Sequence, residues 1–160
     1  MLRRHAAPGP DGRWSLPVRL NLTGDERRNL VPVDWVSAAI VELVSDPRSH
    51  GRTYHLTPDR PVTVREIEAA AAEAFGYRGP TFVGPRGLPV GGLNETEERF
   101  YEAVGLYQPY WAGEPEFDRA NALAALSHSP CPVFDRPMLR RMIDYAERDR
   151  WGKAARRPGP

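Results

Sequence analysis

Two short extended runs, each followed by a capped helix, fill the segment between residues 28 and 67. The first run, 30–33, leads into Asp34, whose carboxylate is placed to accept hydrogen bonds from the free amides of a first helical turn. The second run, 53–56, leads towards Thr-Val-Arg-Glu at 63–66, a capping box in which two side chains satisfy two backbone donors. This alternation of strands and helices predicts an α/β fold.

The rest of the chain is predicted to be mostly helical, with few strands. Residues 18–22 alternate apolar and polar side chains, which is the period of a half-buried strand. Asn94, Asp118 and Asp135 are the predicted caps of the last three helices. Together with apolar residues at helical spacing, the caps place the helices at about 35–45, 64–75, 95–107, 119–126 and 136–151.

Length and composition indicate one globular domain. A chain of 160 residues can bury a core, and its hydrophobic content of 41% and charged content of 27% are ordinary for a globular protein. We expect a disordered leader over residues 1–13, the domain over 14–152 and a disordered tail over 153–160, because both ends are polar and rich in proline or glycine.

Charge and apolar patterning exclude two classes of partner. The formal net charge of +1 provides no electrostatic basis for binding nucleic acid or an anionic membrane. No apolar run reaches the roughly 18 residues of a membrane span. The basic start, 1–5, leads into Ala-Ala-Pro-Gly-Pro rather than into an apolar signal core. We therefore predict a cytoplasmic protein.

The sequence contains no pattern for a metal or a dinucleotide. Cys131 is the single cysteine, so neither an intrachain disulfide nor a multi-cysteine metal site can form. His50 and His55 are five residues apart and match no metal-ligand spacing. The glycines near residues 87–92 do not have the spacing of a dinucleotide-binding turn, and no strand leads directly into them. We predict no metal-binding and no cofactor-binding residue in this chain.

The amino-acid sequences of three segments are similar to those of a known protein family. Residues 28–36 read Arg-Asn-Leu-Val-Pro-Val-Asp-Trp-Val, residues 51–57 read Gly-Arg-Thr-Tyr-His-Leu-Thr, and residues 63–67 follow with the capping box. This pattern resembles the extended short-chain dehydrogenase/reductases, also called the NAD-dependent epimerase/dehydratase superfamily. The segment at 31–36 is closest to the branch that contains fatty-acyl and carrier-protein thioester reductases.

The resemblance implies the C-terminal portion of a Rossmann-type enzyme, with few strands and a mostly helical substrate lobe. Members of the family bind NADP or NAD in their first half and use a Tyr-x-x-x-Lys pair for proton transfer. Here the only lysine is Lys153, and Asp149 stands four residues before it. We therefore assign no catalytic residue, and we expect neither cofactor to bind this chain alone.

Three hypotheses about the function follow. The chain is predicted to be the substrate-binding portion of a short-chain reductase that is inactive alone and that works with a complementing Rossmann-half chain or self-associates. The alternative is a non-catalytic acyl- or nucleotide-binding module, or a truncated gene remnant. The expected ligand is a small acyl or nucleotide-linked molecule, and Pro32 and Trp35, which depart from the sugar-nucleotide pattern, favour an acyl substrate.

The predicted substrate-binding residues are Arg28, Tyr107, Tyr110 and Trp111. The resemblance implies phosphate contacts for Arg28, because a planar guanidinium donates two parallel hydrogen bonds to an anion; the competing interpretation is a solvated turn arginine. The three aromatic residues cluster with Tyr101 in the most variable part of the lobe. They could line an apolar pocket or pack between helices, and both interpretations remain open.

Overall fold

A computed structural model describes residues 7–9, 12–88 and 92–153 of the chain. Five α-helices dominate it. They are α1 (Val33–Ser45), α2 (Val64–Phe75), α3 (Glu95–Val104), α4 (Ala120–Ala125) and α5 (Arg136–Arg148). Two 3-10 helices, Pro47–Ser49 and Gly105–Ala112, follow α1 and α3.

Within the described residues, seven strands of two residues each pair in three small sheets. The strands are β1 (Ala7–Pro8), β2 (Trp14–Ser15), β3 (Arg19–Leu20), β4 (Arg27–Arg28), β5 (Val62–Thr63), β6 (Tyr77–Arg78) and β7 (Thr81–Phe82). In the first sheet β2 pairs antiparallel with β1 and parallel with β6. In the others, β3 is parallel to β7 and β4 is antiparallel to β5. The predicted class, α/β with few strands and several helices, is confirmed.

The helix ends that are fixed by local capping agree with the predictions from the sequence. The hydroxyl of Thr63 accepts from the amide of Glu66, whose carboxylate accepts from the amide of Thr63, so the predicted capping box is present. Asn94 and Glu97 form the second box. Helix α2 ends at Gly76, which adopts the left-handed conformation at φ 66° that glycine tolerates best.

The predicted cap of α1 is wrong by two positions. The helix begins at Val33, so Pro32 occupies the N-cap and Asp34 lies inside the first turn, where its Oδ1 accepts from the amide of Trp35 at 3.0 Å. Proline lacks an amide donor and prefers extended backbone, which suits a position just ahead of a helix.

The predicted strands are the least accurate part of the sequence analysis. Residues 30–33 and 53–56 are not strands, and 18–22 contains only the two residues of β3. A strand forms instead at Arg27–Arg28, because β5 provides its hydrogen-bonding partner. Among the described residues no segment pairs with 30–33 or with 53–56, and a strand requires a neighbour as well as a suitable side-chain pattern.

Two apolar clusters form the core. The first, core 1, joins α2 to α5 and consists of Val62, Ala70, Phe134 and Leu139, with Leu30, Ile67, Met138 and Ile143 packed against it. The second, core 2, lies around β3 and consists of Val18, Leu20 and Leu22, with neighbours that include Phe82, Phe100 and Trp111.

The two ends of the chain were predicted to be a disordered leader and a disordered tail. Within the predicted disordered leader, 1–13, residues 7–8 form β1, which differs from the expectation because the backbone of β2 is available for pairing. Lys153 ends a turn, and the rest of the predicted tail, 154–160, lies outside the described residues. Among the helices that are described, none combines the length and the apolar character needed to cross a bilayer.

Candidate functional site

Arg28 and Trp111 are brought together by the fold. Arg28 lies on β4, and its Nη2 donates to the backbone carbonyl of Trp111 at 3.0 Å. Its Nη1 donates to the carbonyl of Arg27 at 2.7 Å. The guanidinium therefore ties β4 to the end of the 3-10 helix Gly105–Ala112, a contact across 83 residues. A role for Arg28 in contacting substrate stays a prediction.

The predicted aromatic cluster is divided between the core and the surface. Trp111 packs against core 2, with ring centroids 6.1 Å from Phe100 and 6.2 Å from Tyr101. Tyr101 donates its hydroxyl to the carbonyl of Arg19 at 2.8 Å. Tyr107 and Tyr110 are exposed on the 3-10 helix. None of these aromatic residues lines either of the two cavities described next.

The first cavity, called the polar cavity, has a volume of about 210 Å³. Its charged lining consists of Arg27, Asp59, Glu114, Glu116 and Arg119, with Asn29 and Phe117 beside them. Two hydrogen-bonded pairs join the segment that carries the two glutamates to β4 and to the residue that follows β4. Glu114 accepts from the amide of Asn29 at 2.6 Å, and Arg27 Nη1 donates to Glu116 Oε1 at 3.1 Å. With three carboxylates and two guanidiniums, the lining carries a net charge of −1, which does not favour an anionic ligand.

The second cavity, called the apolar cavity, has a volume of about 220 Å³. Helix α4, the start of α1 and the loop at 127–131 form its walls. Its apolar lining consists of Trp35, Ala122, Leu123, Leu126, Pro130 and Cys131. Ala122, Leu126 and Cys131 are buried, and the indole Nε1 of Trp35 donates to the carbonyl of Ser129 at 3.0 Å, which fixes the ring.

Arg119 lies between the two cavities and lines both, as do Thr57 and Asp59. Its Nη2 donates to Asp59 Oδ1 in an ion pair. Its Nε is buried and has no acceptor among the described residues. Sequence reasoning missed this residue, although it lies in the Phe-Asp-Arg-Ala-Asn segment at 117–121 and just before a short apolar helix. Nothing local indicates that residue 59 is its partner.

Cys131 and His55, two residues of types that can act as a nucleophile or a base, are accounted for by structural contacts. Burial raises the pKa of the Cys131 thiol, which keeps it protonated and a poor nucleophile. His55 contacts the carbonyl of Asp118 through Nδ1 at 2.8 Å and lies 5.1 Å from the ring of Phe117. In the part of the chain that the structure describes, no three histidine, cysteine or acidic residues could hold a metal ion.

Strongly shifted pKa values lie away from both cavities. Hydrogen bonds from Arg19 lower the pKa of Glu97 to about 2, and burial raises the pKa of Tyr77 to about 12, with a contribution from Glu68. Shifted groups often mark active sites, but structural ion pairs produce the same shifts. Glu97 is part of such a pair, because it also caps α3.

The chain is similar in sequence to parts of two nonribosomal peptide synthetases. No family model matches the chain. It is 26% identical over 151 residues to a nonribosomal peptide synthetase, FrzA, from Cladobotryum sp, across 77% of this chain and 14% of that protein. It is 33% identical over 46 residues to the nonribosomal peptide synthetase asaC from Aspergillus flavus, across 29% of this chain and 4% of that protein.

A solved structure has a similar fold. It is the terminal R domain from the myxalamid PKS-NRPS biosynthetic pathway, with a TM-score of 0.61 and 27% sequence identity. The similarity covers 83% of this chain and 36% of that chain. The 160 residues therefore span about a third of the reductase domain and a small fraction of each synthetase. The resemblance predicted from the sequence is confirmed: the chain is similar to the carboxy-terminal portion of a terminal reductase domain and fits the thioester reductase-like branch of the extended short-chain dehydrogenase/reductases.

Proposed function

We propose that the chain is the substrate-binding portion of an NAD(P)-dependent reductase that acts on an acyl group carried as a thioester. The Rossmann half, with the cofactor site and the Tyr-x-x-x-Lys pair, lies outside these 160 residues, either on the same polypeptide or on a partner. On this proposal the 160 residues alone do not catalyse reduction. The similarity to a terminal reductase domain supports the reaction class.

One observation carries the proposal, namely an apolar helix face without a covering partner. On α1, Val33, Val41 and Val44 are 79%, 66% and 67% exposed, and only Ala39 is buried. Contiguous exposed apolar residues of this kind mark an interaction surface. The matched part of the myxalamid R domain is 36% of that chain, so most of that domain has no counterpart here. A Rossmann half is the partner that would cover α1.

The helix ends of this chain are unsuited to a dinucleotide. A diphosphate binds where a helix N-terminus offers free amides and a positive dipole end. Each described α-helix of eight residues or more has a carboxylate at its N-cap or in its first turn. These carboxylates belong to Asp34 in α1, Glu66 in α2, Glu97 in α3 and Asp135 in α5. Each carboxylate accepts from one backbone amide at the start of its helix and repels phosphate, so on this proposal the cofactor, which supplies hydride when bound, needs the other half.

Calorimetry with the isolated chain is the direct test. We expect no measurable uptake of NADPH or NADH and no cofactor oxidation with an acyl-carrier thioester. Co-production with a cofactor-binding half from the neighbouring coding sequence should give a complex that co-purifies and oxidises NADPH. Tight cofactor binding and turnover by the 160 residues alone would refute the proposal, and so would two stable halves that never associate.

The exposed face of α1 makes a separate prediction for the isolated chain. We expect reversible self-association that rises with concentration, because the uncovered valines bury themselves against another copy. The double substitution Val41→Asp and Val44→Asp should leave the chain monomeric in sedimentation. Leu106→Asp is the control, since Leu106 is as exposed but lies on the 3-10 helix. A wild-type chain that stays monomeric at every concentration would contradict this prediction.

A second candidate is a binding module without catalysis, and the cavities favour it because this chain forms both of them alone. Such a module would bind an acyl or nucleotide ligand in the absence of any other half. The two candidates differ in one measurement. For the module, addition of a Rossmann half and NADPH should leave ligand affinity unchanged, whereas a reductase portion should bind and turn over its thioester only in the complex.

A further inference from the structure

We propose that the outward side of α5 is a docking surface for an acidic helix of another protein chain. The surface, called the arginine–tyrosine face, consists of Arg141, Tyr145 and Arg148, which follow one another at i, i+4 and i+7 along the helix. All three residues are exposed. The proposal goes beyond the proposed function, because it involves neither of the cavities nor the valines of α1.

Helix α5 has one side in the core and one side in solvent. Leu139 is buried in core 1, and Met138 and Ile143 pack against the same cluster, so this side of the helix meets α2. A helix turns by about 100° per residue, which places Arg141 and Arg148 roughly opposite Leu139. The arginine–tyrosine face is therefore the side of α5 that core 1 does not use.

The arginines of α5 differ in their partners. Two of them are in ion pairs, namely Arg136 with Glu73 and Arg140 with Asp144. Among the described residues, no carboxylate pairs with Arg141 or Arg148. Arg141 contacts only the sulfur of Met138 through Nη2, at 3.4 Å. A guanidinium has five N–H donors and stays charged at physiological pH, so both arginines keep donors and charge for a partner.

Tyr145 supplies an apolar centre between the two charges. Its side chain is 64% exposed, one turn from each arginine. A tyrosine ring contributes contact area at a small cost in conformational entropy, and its hydroxyl forms hydrogen bonds at the edge. Tyrosine and arginine are also among the residue types that contribute most to protein–protein binding. This combination favours a protein partner that has both an apolar and an anionic part.

The size of the charged area selects a helix over an extended polyanion. Arg141 and Arg148 are two turns apart, about 10 Å along the axis. Glu147 and Asp149 flank Arg148 in the sequence, and the net charge of the chain is only +1, so a bilayer or a nucleic acid would meet repulsion beside the face. A partner helix with two carboxylates seven residues apart matches the spacing of the arginines, and an apolar residue between the carboxylates would meet Tyr145.

Two alanine-based helical peptides are the probes. The acidic peptide has Glu, Leu and Glu at i, i+4 and i+7, and the neutral peptide has Gln in place of both Glu. We expect the acidic peptide to shift the amide resonances of α5 in a saturable way, with about tenfold weaker binding of the neutral peptide. Salt should weaken the acidic peptide most, because exposed charges are screened. No saturable shift in α5, or equal affinity for the two peptides, would overturn the proposal.

Two double variants with the same net charge test the site. Arg141→Gln with Arg148→Gln removes both guanidiniums of the arginine–tyrosine face. Arg52→Gln with Arg86→Gln removes two exposed arginines elsewhere, so that both proteins change from a net charge of +1 to −1. We expect about tenfold weaker binding of the acidic peptide in the first variant only. Equal losses in the two variants would show that binding follows net charge and would refute the site.

Tyr145→Ala tests the apolar centre without a change of charge. We expect about fivefold weaker binding of the acidic peptide, because truncation of a central aromatic residue is costly. Leu106→Ala is the control, since Leu106 is exposed and lies outside α5. Circular dichroism establishes that each variant is folded. If the double variant of α5 does not fold, Tyr145→Ala decides, and wild-type affinity in that variant overturns the proposal.

The other anionic partners are tested directly. Vesicles of phosphatidylserine and phosphatidylcholine in equal parts, and a single-stranded oligonucleotide, are mixed with the chain under the conditions of the peptide titration. We expect no co-sedimentation with the vesicles and no retardation of the oligonucleotide, because the positive area is short. Binding to either that is tighter than binding to the acidic peptide, and that is lost in the double variant of α5, would assign the face to another class of partner.

Discussion

Glu97→Ala is expected to lower the free energy of unfolding by about 3 kcal/mol, because it removes both a helix cap and several charge-assisted hydrogen bonds to Arg19, whose side chain is 36% exposed. Glu97 is fully buried. Its Oε1 accepts from the amide of Arg19 at 2.8 Å and from Nε of the same residue at 2.7 Å, and its Oε2 accepts from Nη2 at 2.7 Å. Oε2 also accepts from the amide of Asn94 at 2.9 Å. One carboxylate therefore caps α3 and fastens that helix to β3.

Chemical denaturation followed by circular dichroism measures the effect. The matched control is Glu95→Ala in the same helical turn, because Glu95 is exposed and pairs with Arg99 at 2.6 Å. An exposed pair of this kind contributes roughly 0.5 kcal/mol. If the two variants unfold at the same denaturant concentration, the Glu97 contacts do not stabilise the chain as described.

The same carboxylate predicts a dependence of stability on pH. Its pKa in the folded chain is about 2, which is below the ordinary 4.5, because of the hydrogen bonds from Arg19. A lowered pKa contributes stability that is fully present above the unfolded value and is lost as pH falls. We expect the wild-type chain to lose stability between pH 4.5 and pH 2 more steeply than Glu97→Ala does. Parallel profiles for the two proteins would contradict the assignment.

Phe134→Ala is expected to cost about 3–5 kcal/mol, since it removes a buried ring and leaves a cavity. Phe134 is buried in core 1, together with Val62, Ala70 and Leu139. It precedes α5 and fills the space where that helix crosses α2. The loss should appear as a lower denaturation midpoint, with α2 and α5 losing protection from hydrogen exchange first.

The neighbouring residue provides the control for this variant. Val133→Ala changes an exposed side chain one position away, and an exposed substitution of this kind usually changes stability by about 0.5 kcal/mol or less. A small effect of Phe134→Ala, comparable with that of Val133→Ala, would show that core 1 does not hold α2 against α5.

The features predicted correctly from the sequence depend mainly on residues that are close together in the chain. The capping boxes at Thr63 and Asn94 depend on side chains three residues apart, so their sequence pattern was sufficient. The strand predicted at 53–56 has the residue types of a strand, yet it pairs with no described segment. Pairing depends on a remote neighbour, and the local pattern carries no information on whether this chain provides one.

The candidate site follows the same division. The resemblance to the family predicted Arg28 and the aromatic cluster as substrate-binding residues. The fold joins Arg28 to Trp111 and leaves Tyr107 and Tyr110 exposed. The cavities around Arg119 were not predicted. They depend on α4, on the start of α1 and on the loop at 57–59, which are far apart in the chain.

By itself, the sequence determined the resemblance to a reductase, the bounds of α2 and the absence of a Tyr-x-x-x-Lys pair, because each depends on residues that are close together in the chain. Only the tertiary structure decided which residues face one another. Arg119 and Asp59 are sixty residues apart, and Arg19 and Glu97 are 78 apart. Such contacts form when the apolar clusters bring distant segments together, and no local pattern specifies them.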